Sequence, residues 1–189
     1  DNNNPGTESE PFKNICHALS LVKNDLTTIT TIYVADGVFS PSTTGEQFPI
    51  ILPDYVHLIG TSRETSILDA EADLEKESRV IKIVEECENI KVANFTITGG
   101  NAVSAGCIGG GGILVTHPDL EYVYDGPVSP VNAVFENLIL TDNTAAAGAG
   151  ISIWRVSGPT LSNLIIQENT SEHYGGGLKI FSATASVTD

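Results

Sequence analysis

Basic residues are scarce in this chain. Nine Lys and Arg face 24 Asp and Glu, a net charge of −15. Such an excess turns away nucleic acid and anionic membrane surfaces, and leaves cations or neutral and basic ligands as compatible partners. No apolar run approaches the ~20 residues that a membrane-spanning helix requires. Cysteine is limited to Cys16, Cys87 and Cys107. None forms a CxxC pair, which argues against a zinc or thioredoxin-type site. An odd count leaves one thiol over unless it pairs between chains. Cys16–Cys87 is a conceivable bridge whose geometry sequence does not test; small buried side chains are the simpler reading. Methionine is absent, and the chain opens at Asp1 without a leader pattern. A processed product or an excised fragment is therefore expected. Little lysine beside much Asn, Thr, Ser and Gly suits a secreted or cell-surface protein.

What the chain does have is a repeat. Val92-Ala-Asn94-Phe-Thr-Ile97, Phe135-Glu-Asn137-Leu-Ile-Leu140 and Leu161-Ser-Asn163-Leu-Ile-Ile166 align without gaps. Each leads through a Gly-rich turn to a second apolar alternation, at Gly112–Val115, Gly150–Ile153 and Gly177–Ile180. Asn137 and Asn163 are 26 residues apart; Asn94 and Asn137 are 43 apart, the longer interval holding an insertion from Pro118 to Pro130. A unit of about two dozen residues with two short strands and no helical period is a β-solenoid signature. Inward residues on both sides of each Asn are three apart, so the strand must bend there. Asn tolerates such a corner, and Asn94, Asn137 and Asn163 are expected to stack as a side-chain amide ladder. Asn143 and Asn169 form a second set, with Asn101 one residue out of register. The glycines allow close approach of coils; no helix pattern follows them and neither P-loop nor dinucleotide spacing is present, which argues against a nucleotide-binding loop.

These repeats resemble those of right-handed parallel β-helices. Leu140-Thr-Asp-Asn143 with Gly148-Ala-Gly-Ile151, and Ile166-Gln-Glu-Asn169 with Gly175-Gly-Gly-Leu178, are similar to polymorphic outer-membrane protein repeats. That likeness implies a surface-exposed or secreted protein, often adhesive. Tyr33-Val-Ala-Asp-Gly-Val-Phe39 resembles the opening coils of pectin-methylesterase-like and pectate-lyase-like proteins, in scaffold residues rather than in active-site residues. The expected fold is all-β: a right-handed parallel β-helix with an N-terminal capping α-helix, one domain over 1–189. Residues 1–26 would form the N-terminal segment and cap, 31–91 irregular first coils, and 92–189 regular coils. The cap rests on Phe12, Ile15, Leu19 and Val22 at helical spacing, with Pro11 in the first turn. By register the next corner strand should start near Thr188, leaving the C-terminal end uncapped and open to further coils or to another copy of the chain.

Chemistry is sparser than architecture. His17, His57, His117 and His173 are scattered, and nothing marks one as catalytic. The aspartate pairs and Gly-His-Gly motif of polygalacturonases are missing, so no catalytic residue is assigned. Trp154, expected outward between Thr116 and Phe181, is the leading ligand candidate, because aromatic faces stack on sugars and anchor protein interfaces. Phe181, Arg155, Tyr122 and Tyr124 accompany it. No cofactor or metal is expected; calcium at Asp142, or at Glu168 with Glu172, is the one ion left open. The function expected is a non-catalytic structural or adhesive module, binding glycan or assembling end to end. A polysaccharide lyase or hydrolase fragment is the alternative.

Overall fold

The computed structural model describes residues 1–23, 27–84, 88–117 and 129–189. The chain winds as stacked coils. The first holds β1 (Thr30–Val34), β2 (Gly37–Phe39) and β3 (Ile50–Ile51). The second holds β4 (Val56–Gly60), β5 (Ser66–Asp69) and β6 (Ile81–Val84). The third holds β7 (Ile90–Thr98), β8 (Asn101–Ala102) and β9 (Ile113–Thr116), with a 3₁₀ turn at Gly106–Ile108. The fourth holds β10 (Ser129–Pro130), β11 (Ala133–Leu140), β12 (Thr144–Ala147) and β13 (Ile151–Trp154). The fifth holds β14 (Val156–Ser162), β15 (Ile165–Ile166), β16 (Thr170–Tyr174) and β17 (Leu178–Phe181), and β18 (Thr184–Thr188) follows.

Every strand ladder among the described residues is parallel, and the strands fall into sheets of ten, five and three. The fold is an all-β parallel β-helix; crossovers between parallel strands of one sheet wind right-handedly. The ten-stranded sheet is folded along the Asn corner. The first half of β7 pairs β4 through Lys91–Ala93, and its second half pairs β5 through Thr96–Thr98.

Alternation decides which side chains meet. Ile32, Leu58, Val92, Phe135, Leu161 and Val187 occupy one register position in successive coils. Four of these, Leu58, Val92, Phe135 and Leu161, are 0% exposed. A second inward column, Leu68, Ile97 and Leu140, is equally dry. A single coil leaves one apolar face bare; stacking buries it against its neighbours. The strands β1 to β6 sit in register with those of the later coils. Val80 and Ile83 are fully buried, and the charged stretch from Ala70 to Ser78 is a loop.

The cap is α1 (Ile15–Ser20), shorter than its apolar spacing suggests. It begins after Pro11 and Phe12, because the Asn14 side chain accepts the His17 amide and so stops the helix there. Glu46, 2% exposed, takes the next orphan amides, accepting from Ile15 N at 2.7 Å and Cys16 N at 2.9 Å. Ile15, Cys16, Leu19 and Val22 pack against the core.

The strand after Phe181 differs from expectation by one residue: Val187, not Thr188, lies opposite Leu161. The register shift between Ser157 and Thr160 supplies the extra residue in the coil before.

Candidate functional site

Corners place everything else. Asn94, Asn137 and Asn163 have φ of 64°, 53° and 50°, the left-handed region that Asn enters at least cost among side-chain-bearing residues. Asn137 Nδ2 donates to Asn94 Oδ1 at 2.8 Å, Asn163 Nδ2 to Asn137 Oδ1 at 2.9 Å, and Asn94 Nδ2 to Gly60 O at 3.1 Å. The expected ladder is present. At the same corner of the first two coils, Thr65 Oγ1 donates to Asp36 Oδ1. The second set also connects: Asn143 Nδ2 donates to Asn169 Oδ1 at 3.0 Å. Asn101 is displaced by one, and the amide of Gly100 bonds Asn143 Oδ1 instead.

Side chains between corners point alternately into the core and onto outer faces. On the five-stranded sheet, Trp154 pairs in register with Thr116 and Phe181 as expected. It is not a bare platform: Trp154 is 2% exposed, in a small outer core with Ile108 and Leu114. The turn at Gly106–Ile108 folds over this face, and Ser152 Oγ donates to Ile108 O. Arg79 Nε holds the turn by donating to Gly109 O at 3.1 Å. Trp154 and Phe181 stack with centroids 4.3 Å apart and planes 15° from parallel. Lys179 Nζ lies 4.6 Å from the Trp154 ring. Arg155 is beside them in sequence but buried at a positive-φ corner, so its guanidinium is not on offer to an outside carboxylate. Of the ligand candidates the structure brings Trp154 and Phe181 together; Tyr122 and Tyr124, with Cys87, lie outside the described residues.

A constellation the sequence did not signal lies on the first half of the ten-stranded sheet. His57 and Lys91 are register partners on adjacent coils, and Lys91 Nζ reaches Glu136 Oε2, 2.5 Å away on the next. Partial burial pushes the His57 pKa down, and the Lys91 charge pushes it further. Its neighbour Tyr55 is pushed up, chiefly by its hydrogen bond to Glu88. Each of His57, Lys91 and Glu136 sits at an outward position of its strand; finding them together requires the coil register, which short-range pattern does not supply.

The second half of that sheet carries an outward rank of another kind. Val38, Ile67, Thr96, Ile139 and Ile165 are consecutive register partners over five coils. The loop at residues 61–65 borders them. Thr96 Oγ1 donates to Arg63 O at 2.6 Å, and Arg63 Nη1 reaches Asn163 O at 3.4 Å.

With this geometry in view, one family model matches: Protein of unknown function (DUF1565), over residues 1–189. The chain belongs to that family. No curated protein and no solved structure matches it. The DUF1565 match and the stacked coils agree, since both describe a parallel β-helix.

Two clefts flank the cap of this DUF1565 chain. The larger, about 450 Å³ and open, is lined by Cys16, Leu19, Phe48, Pro49 and Ile51 among others. The Cys16 thiol in its wall is pushed up to about 12, first by burial and then by hydrogen bonding to Glu46. Its Sγ donates to Gln47 O at 3.2 Å. At that pKa the thiol is a structural donor rather than a nucleophile. Among the described residues, no three of His, Cys, Asp and Glu converge as a metal-holding group.

Proposed function

We propose that this chain is a non-catalytic β-helix module of a secreted or cell-surface protein, with a structural or adhesive role. The observation that carries the reading is how the outward positions are filled. Along the coil axis they form ranks, either apolar, as from Val38 to Ile165, or satisfied internally, as in Lys91 with Glu136 and Trp154 with Phe181. Repeated ranks on a rigid scaffold suit recognition of an extended partner. Polysaccharide is one such partner. The test is a paired assay: retention of the chain on polysaccharides and on protein-coated surfaces, and release of reducing or unsaturated ends from the same polymers. Retention without release supports the module; release of ends rules it out.

The second reading, a polysaccharide lyase or hydrolase, draws on His57, Lys91 and Glu136. A neutral imidazole beside an ammonium–carboxylate pair is a workable acid–base set. Polymer cleavage abolished by Lys91→Ala would establish it.

A further inference from the structure

We propose that the outer rank Val38, Ile67, Thr96, Ile139 and Ile165 is a docking face for a cationic amphipathic segment of a partner protein. This deepens the module reading above and rests on it. Four of the five side chains are aliphatic, and they face away from the core: their strand neighbours Leu68, Ile97 and Leu140 point inward at 0% exposure. Val38 and Ile165, at the two ends, are 39% and 38% exposed. At ~4.8 Å per coil the rank is about 19 Å long, the length of about 13 helical residues. Between them Ile67, Thr96 and Ile139 are half-buried, Thr96 being bonded to the 61–65 loop, so the stripe is a partly open one. Apolar surface left open in a row marks interaction sites on soluble proteins.

Charge selects the occupant. Asp36 and Glu64 border the rank on the Asn-ladder side, and Asp69, Asp142 and Glu168 stand at the opposite edge or on its corner. The basic residue on this border, Arg63, is paired with Glu64 at 3.0 Å. Hydrogen bonds from Ser62, then from Arg63, hold the Glu64 carboxyl below its ordinary range, so it is ionised at neutral pH. An aliphatic stripe between carboxylates complements a segment with one apolar face and Lys or Arg along both flanks. A second copy of this chain, at −15, carries the wrong sign for that frame.

The probe is a synthetic Leu/Lys peptide of about 14 residues with leucines on one helical face, set against a scrambled peptide of identical composition. Binding to the intact chain is read by fluorescence anisotropy at low and high salt. Expected are saturable binding, roughly tenfold or more tighter for the amphipathic peptide, and weakening by Ile139→Lys of similar size. Asp142→Asn with Glu168→Gln should flatten the salt dependence. Thr160→Lys, on the other half of the sheet, should leave affinity unchanged. Should Ile139→Lys fail to fold, Ile165→Lys at the exposed end of the rank serves in its place. Equal binding of the scrambled peptide, or unaltered binding by the rank variants, overturns the proposal. So does self-association of the chain alone that Ile139→Lys abolishes, which would assign the face to a second copy. Polymer cleavage by the chain would sink the module reading, whereas indifference to Ile139→Lys sinks the docking face alone.

Discussion

Asn137 donates its side-chain amide to Oδ1 of Asn94 at 2.8 Å, joining two corners 43 residues apart in the chain. Both residues are held at positive φ. The site thus asks for left-handed backbone and for a short side chain that donates and accepts. Asn137→Ala fails on both counts and should cost about 1–3 kcal/mol. Asn137→Gly relieves the backbone and loses only the ladder, so it should cost less than Ala. Asn137→Asp places an acceptor against Asn94 Oδ1 and should be worse than Gly. Urea unfolding midpoints at unchanged slope check the order.

Carboxylates acting as clasps make the fold acid-sensitive. Glu71 accepts from Ser42 and Ser40 hydroxyls and the Ser42 amide, and these bonds, Ser42 first, lower its pKa. Asp73 is lowered by the amides of Lys76 and then Glu75. A depressed carboxylate contributes stability that is complete above its unfolded pKa and fades as pH falls through its folded one. Stability should therefore be level above about pH 5 and decline from about pH 4.5 downward. Glu71→Gln should shallow that decline. Thermal midpoints across the acid range decide it.

Trp154 reports on its own cover, being the one tryptophan in the chain. A Cβ at Gly109, whose φ is +66°, would lie 1.5 Å from Ala147 O. Gly109→Ala should push the Gly106–Ile108 turn off the sheet and shift the Trp154 emission to the red. An emission maximum that stays put would mean the indole is shielded by something other than Ile108.

Cys16 should resist alkylation. With its thiol raised to about 12, the thiolate fraction at pH 8 is about 10⁻⁴. The raised value favours the neutral form, so its contribution to stability is whole below the ordinary thiol pKa and is lost as pH climbs toward 12. Peptide mapping after brief iodoacetamide treatment should find Cys16 unlabelled in the native chain and labelled in urea.

Asn94, Asn137 and Asn163 were legible because equal spacing and equal apolar neighbours coincide at one corner. The same corner in the first two coils was not, since Asp36 and Thr65 do the bonding there with different side chains. Trp154 was placed correctly in register yet expected in solvent: pairing follows from periodicity, but its cover comes from a loop whose path no period encodes. His57, Lys91 and Glu136 share no local motif and meet only once the coils are stacked. Asn14 truncated the apolar pattern of the cap because a satisfied amide outweighs one more apolar turn.

A solenoid ordinarily transmits load only between adjacent turns. The loop carrying Arg63 breaks that rule: it leaves the second coil, receives a bond from Thr96 on the third, and grips the carbonyl of Asn163 on the fifth. Pulled from its far end, such a spring would still unwind turn by turn, with one long bond from Arg63 tying the fifth turn back to the second.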